Sequence, residues 1–231
     1  MIFKGFSIEN LQFLEGLSSH NNRSWFEENR SVFDKIVMPE AQDFVVAMGS
    51  RLAEISNDIV ADPRTDRSIF RIHRDTRFSK DKSPYKTHLA LVFWEGPFRK
   101  VESPLFYFHL EPQKLLLAAG MHMIPGEFLE SYRAAVDDSK TGVSLERVIE
   151  EVRKKGPYEL GWEKYKKVPR GYDPEHPRRQ LLKFGGIGFF IEMPVPVEIF
   201  DDRAVEFVFR HFENMAPVYN WVNQIMHTYL R

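Results

Sequence analysis

Cysteine is absent from all 231 residues. That absence excludes a disulfide scaffold, a zinc–thiolate site, an iron–sulfur cluster and a thiol nucleophile together. Long apolar runs are missing as well. Met1–Leu17 is interrupted by Lys4, Glu9 and Glu15, so it does not read as a signal peptide, and no stretch approaches the roughly 18 apolar residues needed to span a bilayer. A cytoplasmic protein is the expectation. No Gly-x-Ser-x-Gly, His-Glu-x-x-His or Walker pattern occurs, and Gly185-Gly186-Ile187-Gly188 leads into an apolar strand-like run rather than a helix. Net charge is also scarce, at −1, which gives no global attraction to nucleic acid or to an anionic membrane.

What is present is large rings and sorted charge. Twenty Phe within a 14% aromatic share predict a core built from bulky side chains. Residues 64–88 carry a local charge of +5 and residues 161–184 one of +4, leaving −10 for the remainder. The length suits one domain, and we read 1–231 as a single unit.

Ser7 ahead of Ile8, Leu11, Leu14 and Leu17 predicts a capped opening helix. Asn21 or Asn22 caps a second, with Trp25, Phe26, Phe33, Ile36 and Val37 on its inner face. Pro39 starts a third running through Ala41, Phe44, Val45, Met48, Leu52 and Ile55. The period then shortens to two. Residues 68–73, 88–95, 105–111 and 114–122 read as strands, and only Pro112 and Gln113 separate the last two, as in a hairpin. Helices over 127–136 and 144–154, a loop over 161–177 and a strand over 187–193 follow. Two further helices, one on each side of Pro217, close the chain, the second including Tyr229. The order predicts an α+β fold, a largely antiparallel meander packed with helices.

The chemistry is concentrated in Arg71-Ile72-His73-Arg74-Asp75-Thr76-Arg77-Phe78-Ser79-Lys80-Asp81-Lys82-Ser83-Pro84-Tyr85-Lys86-Thr87-His88. Strand alternation turns Phe70 and Ile72 inward and Arg71 and His73 outward. Past Arg74 the apolar period stops, leaving a polar loop anchored by Phe78 and Tyr85. Guanidinium forks match carboxylate and phosphate oxygens, so Arg71, Arg74 and Arg77 with Lys80, Lys82, Lys86 and Arg170 form a candidate anion-binding set. Two readings stay open. Either these cations hold a phosphate- or carboxylate-bearing small molecule, or they pair internally with acids and the chain is a non-catalytic interaction or structural domain. Weak nucleic-acid binding is a third, disfavoured by the net charge.

For proton transfer the candidates are His73 and His88, with Asp75 as orienting partner, because imidazole titrates near neutrality. Whether the chain is an enzyme stays open, and the sequence names no cofactor. No metal site is assigned. In the predicted hairpin His109 and His122 stand about 20 Å apart at 3.3 Å per residue, too far to share an ion. His73 and His88, with Asp75 as a third ligand, are set among cations that oppose one.

The run from Arg71 to His88, together with His20-Asn21-Asn22-Arg23-Ser24-Trp25-Phe26, Asn29-Arg30 and Val168-Pro169-Arg170-Gly171-Tyr172-Asp173-Pro174-Glu175-His176-Pro177, resembles a bacterial and fungal family catalogued as a conserved domain of unknown function. The likeness covers nearly the whole chain. It implies a single α+β domain and carries over no substrate, cofactor or catalytic residue. Taken by themselves, Asn21-Asn22-Arg23 reads as a helix cap, and Pro169–Pro177 as a rigid turn from which only Arg170 is free to join the basic set.

Overall fold

Caps start the helices of the N-terminal third. In the computed structural model, which describes residues 3–96 and 99–229, Ser7 is extended and its side chain accepts the Asn10 N–H, opening α1 (Ile8–Ser19). The Asn22 side chain accepts from Trp25 in the same way and opens α2 (Arg23–Val32). Nothing breaks the chain at Phe33. A π-helical turn, Phe33–Val37, leads straight into α3 (Met38–Leu52), with Met38 N bonded to Phe33 O and Pro39 in the first turn of α3, just past this wider turn.

The strands are β1 (Ile59–Val60), β2 (Leu89–Glu95), β3 (Leu105–Leu110) and β4 (Lys114–Met121), followed by α4 (Gly126–Asp137), α5 (Thr141–Lys155), β5 (Glu159–Glu163), β6 (Phe184–Pro194) and α6 (Ala204–Tyr229). They form one open, antiparallel six-stranded sheet in the order β1-β2-β3-β4-β6-β5, so the architecture is α+β. The β3–β4 hairpin has the expected register: Glu111 N donates to Lys114 O at 2.8 Å, and Lys114 N returns the bond at 3.4 Å. No helix among the described residues is long and apolar enough to cross a membrane.

Three expectations need correction. Residues 68–73 are not a regular strand. They run antiparallel to 85–92 through isolated bridges, Ile69 to Leu91 and His73 to Tyr85. Residues 159–163, partly assigned to a loop, are an edge strand paired with β6, with Glu159 and Glu163 left exposed as suits an edge. The two closing helices are one. Pro217 removes a hydrogen bond at a cost of about 3 kcal/mol, but Val208, Phe209 and Phe212 before it and Val218, Tyr219 and Val222 after it stay in phase and buried. Each such side chain contributes about 1.5–3 kcal/mol. Burial therefore wins over the proline. The side chain of Tyr229 lies outside the described residues.

The chain divides into two compact units. The first comprises the residues up to Phe93 with Tyr107–Leu117 and Glu192–Arg210. Its core is a ring cluster in which Phe108 stacks on Phe6 at 5.5 Å and meets Phe44 at 4.9 Å. The second comprises Trp94–Phe106, Ala118–Ile191 and the residues from His211 on. There Phe106 packs against Tyr219 at 4.5 Å and Phe212 at 5.2 Å. Gly185, Gly186 and Gly188 lie within β6, and their role is close approach: a Cβ on Gly186 would stand 2.0 Å from the His122 carbonyl oxygen.

Candidate functional site

The basic run of the first unit is folded by its ends. Phe70 N donates to Ala90 O and Lys86 N to Ile72 O, so from one pair to the next the first segment advances two residues and the second advances four. This is an irregularity of the β-bulge kind, which re-aims side chains. His88 is at its centre. Further out, Arg74 N bonds to Pro84 O at 2.9 Å and closes a loop over 75–83.

Asn21 ties that loop to the N-terminal helices. Its Nδ2 donates to Tyr85 O at 2.9 Å and its Oδ1 accepts from Tyr85 N at 3.0 Å, while the Tyr85 ring stacks on Phe26 at 4.4 Å. Two of the sequence's distinctive runs therefore meet at Tyr85. Phe78 does not share in the anchoring. It is 95% exposed, so of the two rings only Tyr85 anchors the loop, and the expectation for Phe78 is corrected.

Behind the bulge, strand alternation puts Tyr107, His109 and Glu111 on one face. His109 is bonded on both nitrogens: Nε2–H donates to Glu111 Oε1 at 2.8 Å, and the Tyr107 hydroxyl donates to Nδ1 at 3.0 Å. A carboxylate only accepts, which fixes this tautomer. The His88 ring lies against His109 with centroids 4.0 Å apart. Burial, then His109 and Lys86, hold His88 down at about 4, so it is neutral at pH 7. Burial and the Glu111 charge push Tyr107 up to about 12. Burial raises the Glu111 carboxyl, but the bond from His109 and the nearby charges outweigh it and leave it below its ordinary value. Lys114 stands 3.8 Å from Glu111 and 3.6 Å from Glu192. One ligand atom each from His88, His109 and Glu111 lie within 4.8 Å of one another.

His88 also lines a cavity of about 440 Å³ with Arg74, Lys86, Thr87, Ser83, Asp81 and Asn21. Arg74 is paired there with Asp81 and donates to Ser83 O at 3.3 Å. Arg71 lines a different cavity, of about 200 Å³, beside Glu27, Asp34 and the π-helical turn. Arg77 is engaged with Asp75 at 2.7 Å, and Lys82 Nζ donates to Thr76 O at 2.8 Å. Lys80 is exposed on the loop. The three arginines thus do not share one hollow. Asp75 orients no histidine, since its carboxylate is taken up by Arg77, which holds it at about 2. His73 packs on Tyr85 at 5.0 Å and Phe26 at 6.3 Å.

The other basic stretch belongs to the second unit and is largely structural. Arg178 is buried and caps α4, donating from Nε to Val136 O at 2.6 Å and from its terminal nitrogen to Asp137 O at 2.9 Å and Asp138 O at 3.3 Å. His176 accepts the Arg178 N–H at 3.0 Å and stands 3.3 Å from Asp137. Gly171 takes the left-handed conformation of a turn at φ +93°, and Arg170 beside it is exposed.

Residues 107, 109 and 111 are the ones sequence reasoning passed over as a group. The signal was available, because Tyr-x-His-x-Glu on a strand places all three on one face. Which histidine they meet was not, because that depends on the bulge. No curated protein matches the chain. A family model described as a conserved hypothetical protein, DUF2461, matches residues 9–221, and the chain belongs to that family.

Proposed function

We propose that the chain binds a small ligand bearing a phosphate or carboxylate group in the cavity of about 440 Å³ lined by Arg74, Lys86, Thr87 and Ser83. The observation that carries this reading is a guanidinium, an ammonium and the Thr87 hydroxyl lining one concavity, the kind of donor set an anion needs. Asp81 is a weak competitor for Arg74. It is largely exposed and its pair with Arg74 is worth at most about 1 kcal/mol, although it also accepts from the Ser83 hydroxyl at 2.6 Å and the Ser83 N–H at 2.9 Å, so an entering anion takes its place at Arg74 and leaves it on Ser83. A cytoplasmic setting belongs to the same reading: a chain without cysteine needs no oxidising compartment to fold.

Titration calorimetry with inorganic phosphate and with citrate tests it. Saturable binding is expected for one of the two, weakened about tenfold by Arg74→Gln and by Lys86→Gln. Absence of saturable binding, or binding that neither substitution changes, rejects it. The pairs Arg74–Asp81 and Arg77–Asp75 favour a second reading, in which the basic loop is neutralised from within and serves only structure or docking. Its signature is a marked loss of stability in Arg74→Gln with no anion bound by either protein.

A further inference from the structure

We propose that His88, His109 and Glu111 form a binding site for one divalent transition-metal ion of the Zn²⁺, Co²⁺ or Fe²⁺ class. The inference does not rest on the anion reading. The donor set is two imidazoles and one carboxylate, a combination that suits these ions and not Ca²⁺ or Mg²⁺, which prefer all-oxygen shells.

The geometry is close to what one ion needs. Donors bound at about 2.0–2.2 Å stand at most about 4.4 Å apart, and about 3.3–3.6 Å apart when tetrahedral. The pair His109 Nε2 and Glu111 Oε1 is at 2.8 Å, and all three ligand atoms lie within 4.8 Å. The rings of His88 and His109 are stacked, with centroids 4.0 Å apart and 26° from parallel, so one ring must turn out of the stack for both to direct a nitrogen lone pair to an ion beside the carboxylate.

A supporting shell is already in place. Tyr107 fixes the His109 ring through Nδ1, the arrangement by which outer groups orient a ligating imidazole. Binding replaces the Nε2 proton with the metal. His109 then carries its proton on Nδ1 and donates it to the Tyr107 oxygen, while the hydroxyl hydrogen turns away. No net proton change is required of the ring.

The charge around the site does not forbid a cation. Arg74 is paired with Asp81 and Lys114 stands 3.6 Å from Glu192, so these two cations are offset without drawing on the ligand Glu111, and Lys86 lines the neighbouring cavity. Three protein donors leave coordination positions open, and His88 borders the cavity, so a bound ion would face it.

Co²⁺ titration of the full chain, freed of chelator and kept in phosphate-free buffer, tests the proposal through the visible absorption of the bound ion, with metal content measured after dialysis. One equivalent is expected, and Zn²⁺ should displace it. His88→Ala and Glu111→Gln should each abolish saturable binding, Tyr107→Phe should weaken it about ten- to hundredfold, and His20→Ala should leave it unchanged. Glu111 lies at the end of the hairpin and is partly exposed, so Glu111→Gln, checked by circular dichroism, keeps the test decisive if a histidine variant fails to fold. No saturable Co²⁺ binding, or binding retained in folded Glu111→Gln, overturns the site. Arg74→Gln separates the two proposals, since it should lower phosphate affinity and leave Co²⁺ affinity intact.

Discussion

The Tyr158 hydroxyl shares a hydrogen bond with Nδ1 of His211 at 2.9 Å and accepts from Asn214 Nδ2 at 3.0 Å. Burial holds His211 below its ordinary value. The folded chain therefore takes up this proton less readily than the unfolded one, so the contribution of this group is complete above about pH 6.5 and is lost as the pH falls below it. Urea unfolding between pH 7.5 and 5.5 should show a shallower decline for His211→Asn than for the parent. Equal slopes reject the assignment. Tyr158→Phe should cost about 1 kcal/mol at pH 7.5.

Arg178 should be the most costly arginine to remove. Its guanidinium bonds three carbonyls at the end of α4, and a shorter or apolar side chain leaves the buried Val136 carbonyl without this donor, while Asp138 O keeps the Gly142 N–H. We expect Arg178→Met to lower stability by about 3 kcal/mol, against less than about 0.5 kcal/mol for the exposed Arg170→Ala. Chemical denaturation of the two variants side by side measures the difference.

Asn21 is predicted to act on the cavity both as a lining side chain and by holding the Tyr85 backbone. Asn21→Ala removes both bonds to Tyr85 and should destabilise the chain by about 1–3 kcal/mol. Because Tyr85 and Asn21 both line the cavity, the same variant should weaken phosphate binding while Arg74 and Lys86 remain intact. Unchanged affinity in the calorimeter rejects that coupling.

A methyl group at Gly186 meets the His122 carbonyl oxygen at 2.0 Å, with the His122 carbonyl carbon at 2.6 Å and Met121 O at 2.8 Å, all of it backbone. Gly186→Ala should therefore lose about 2–3 kcal/mol or fail to fold, whereas Gly126→Ala, where a Cβ meets nothing within 4 Å, should be close to neutral. Melting temperatures of the pair give the answer directly.

Much of this fold was legible because its signals are local. The Ser7 and Asn22 caps, the hairpin register at Glu111 and Lys114 and the apolar faces of α1 and α3 each depend on residues a few positions apart. The errors fell where distant packing decides. Pro217 reads as a helix break, yet the buried face running through it overrides the missing bond. Phe78 reads as an anchor because it is aromatic, but nothing nearby in sequence says that the loop carries it into solvent. The site divides the same way. Arg74, Lys86 and His88 were visible as a basic run, whereas the meeting of His88 with His109 depends on a bulge that only the paired backbone reveals.

The solvent-facing Phe78 offers chymotrypsin-like proteases a scissile bond at the tip of a segment whose two ends stay joined where Arg74 N meets Pro84 O. Brief digestion should yield one early nick with both fragments still travelling together on a sizing column, and a ligand seated beside Arg74 would slow the cut.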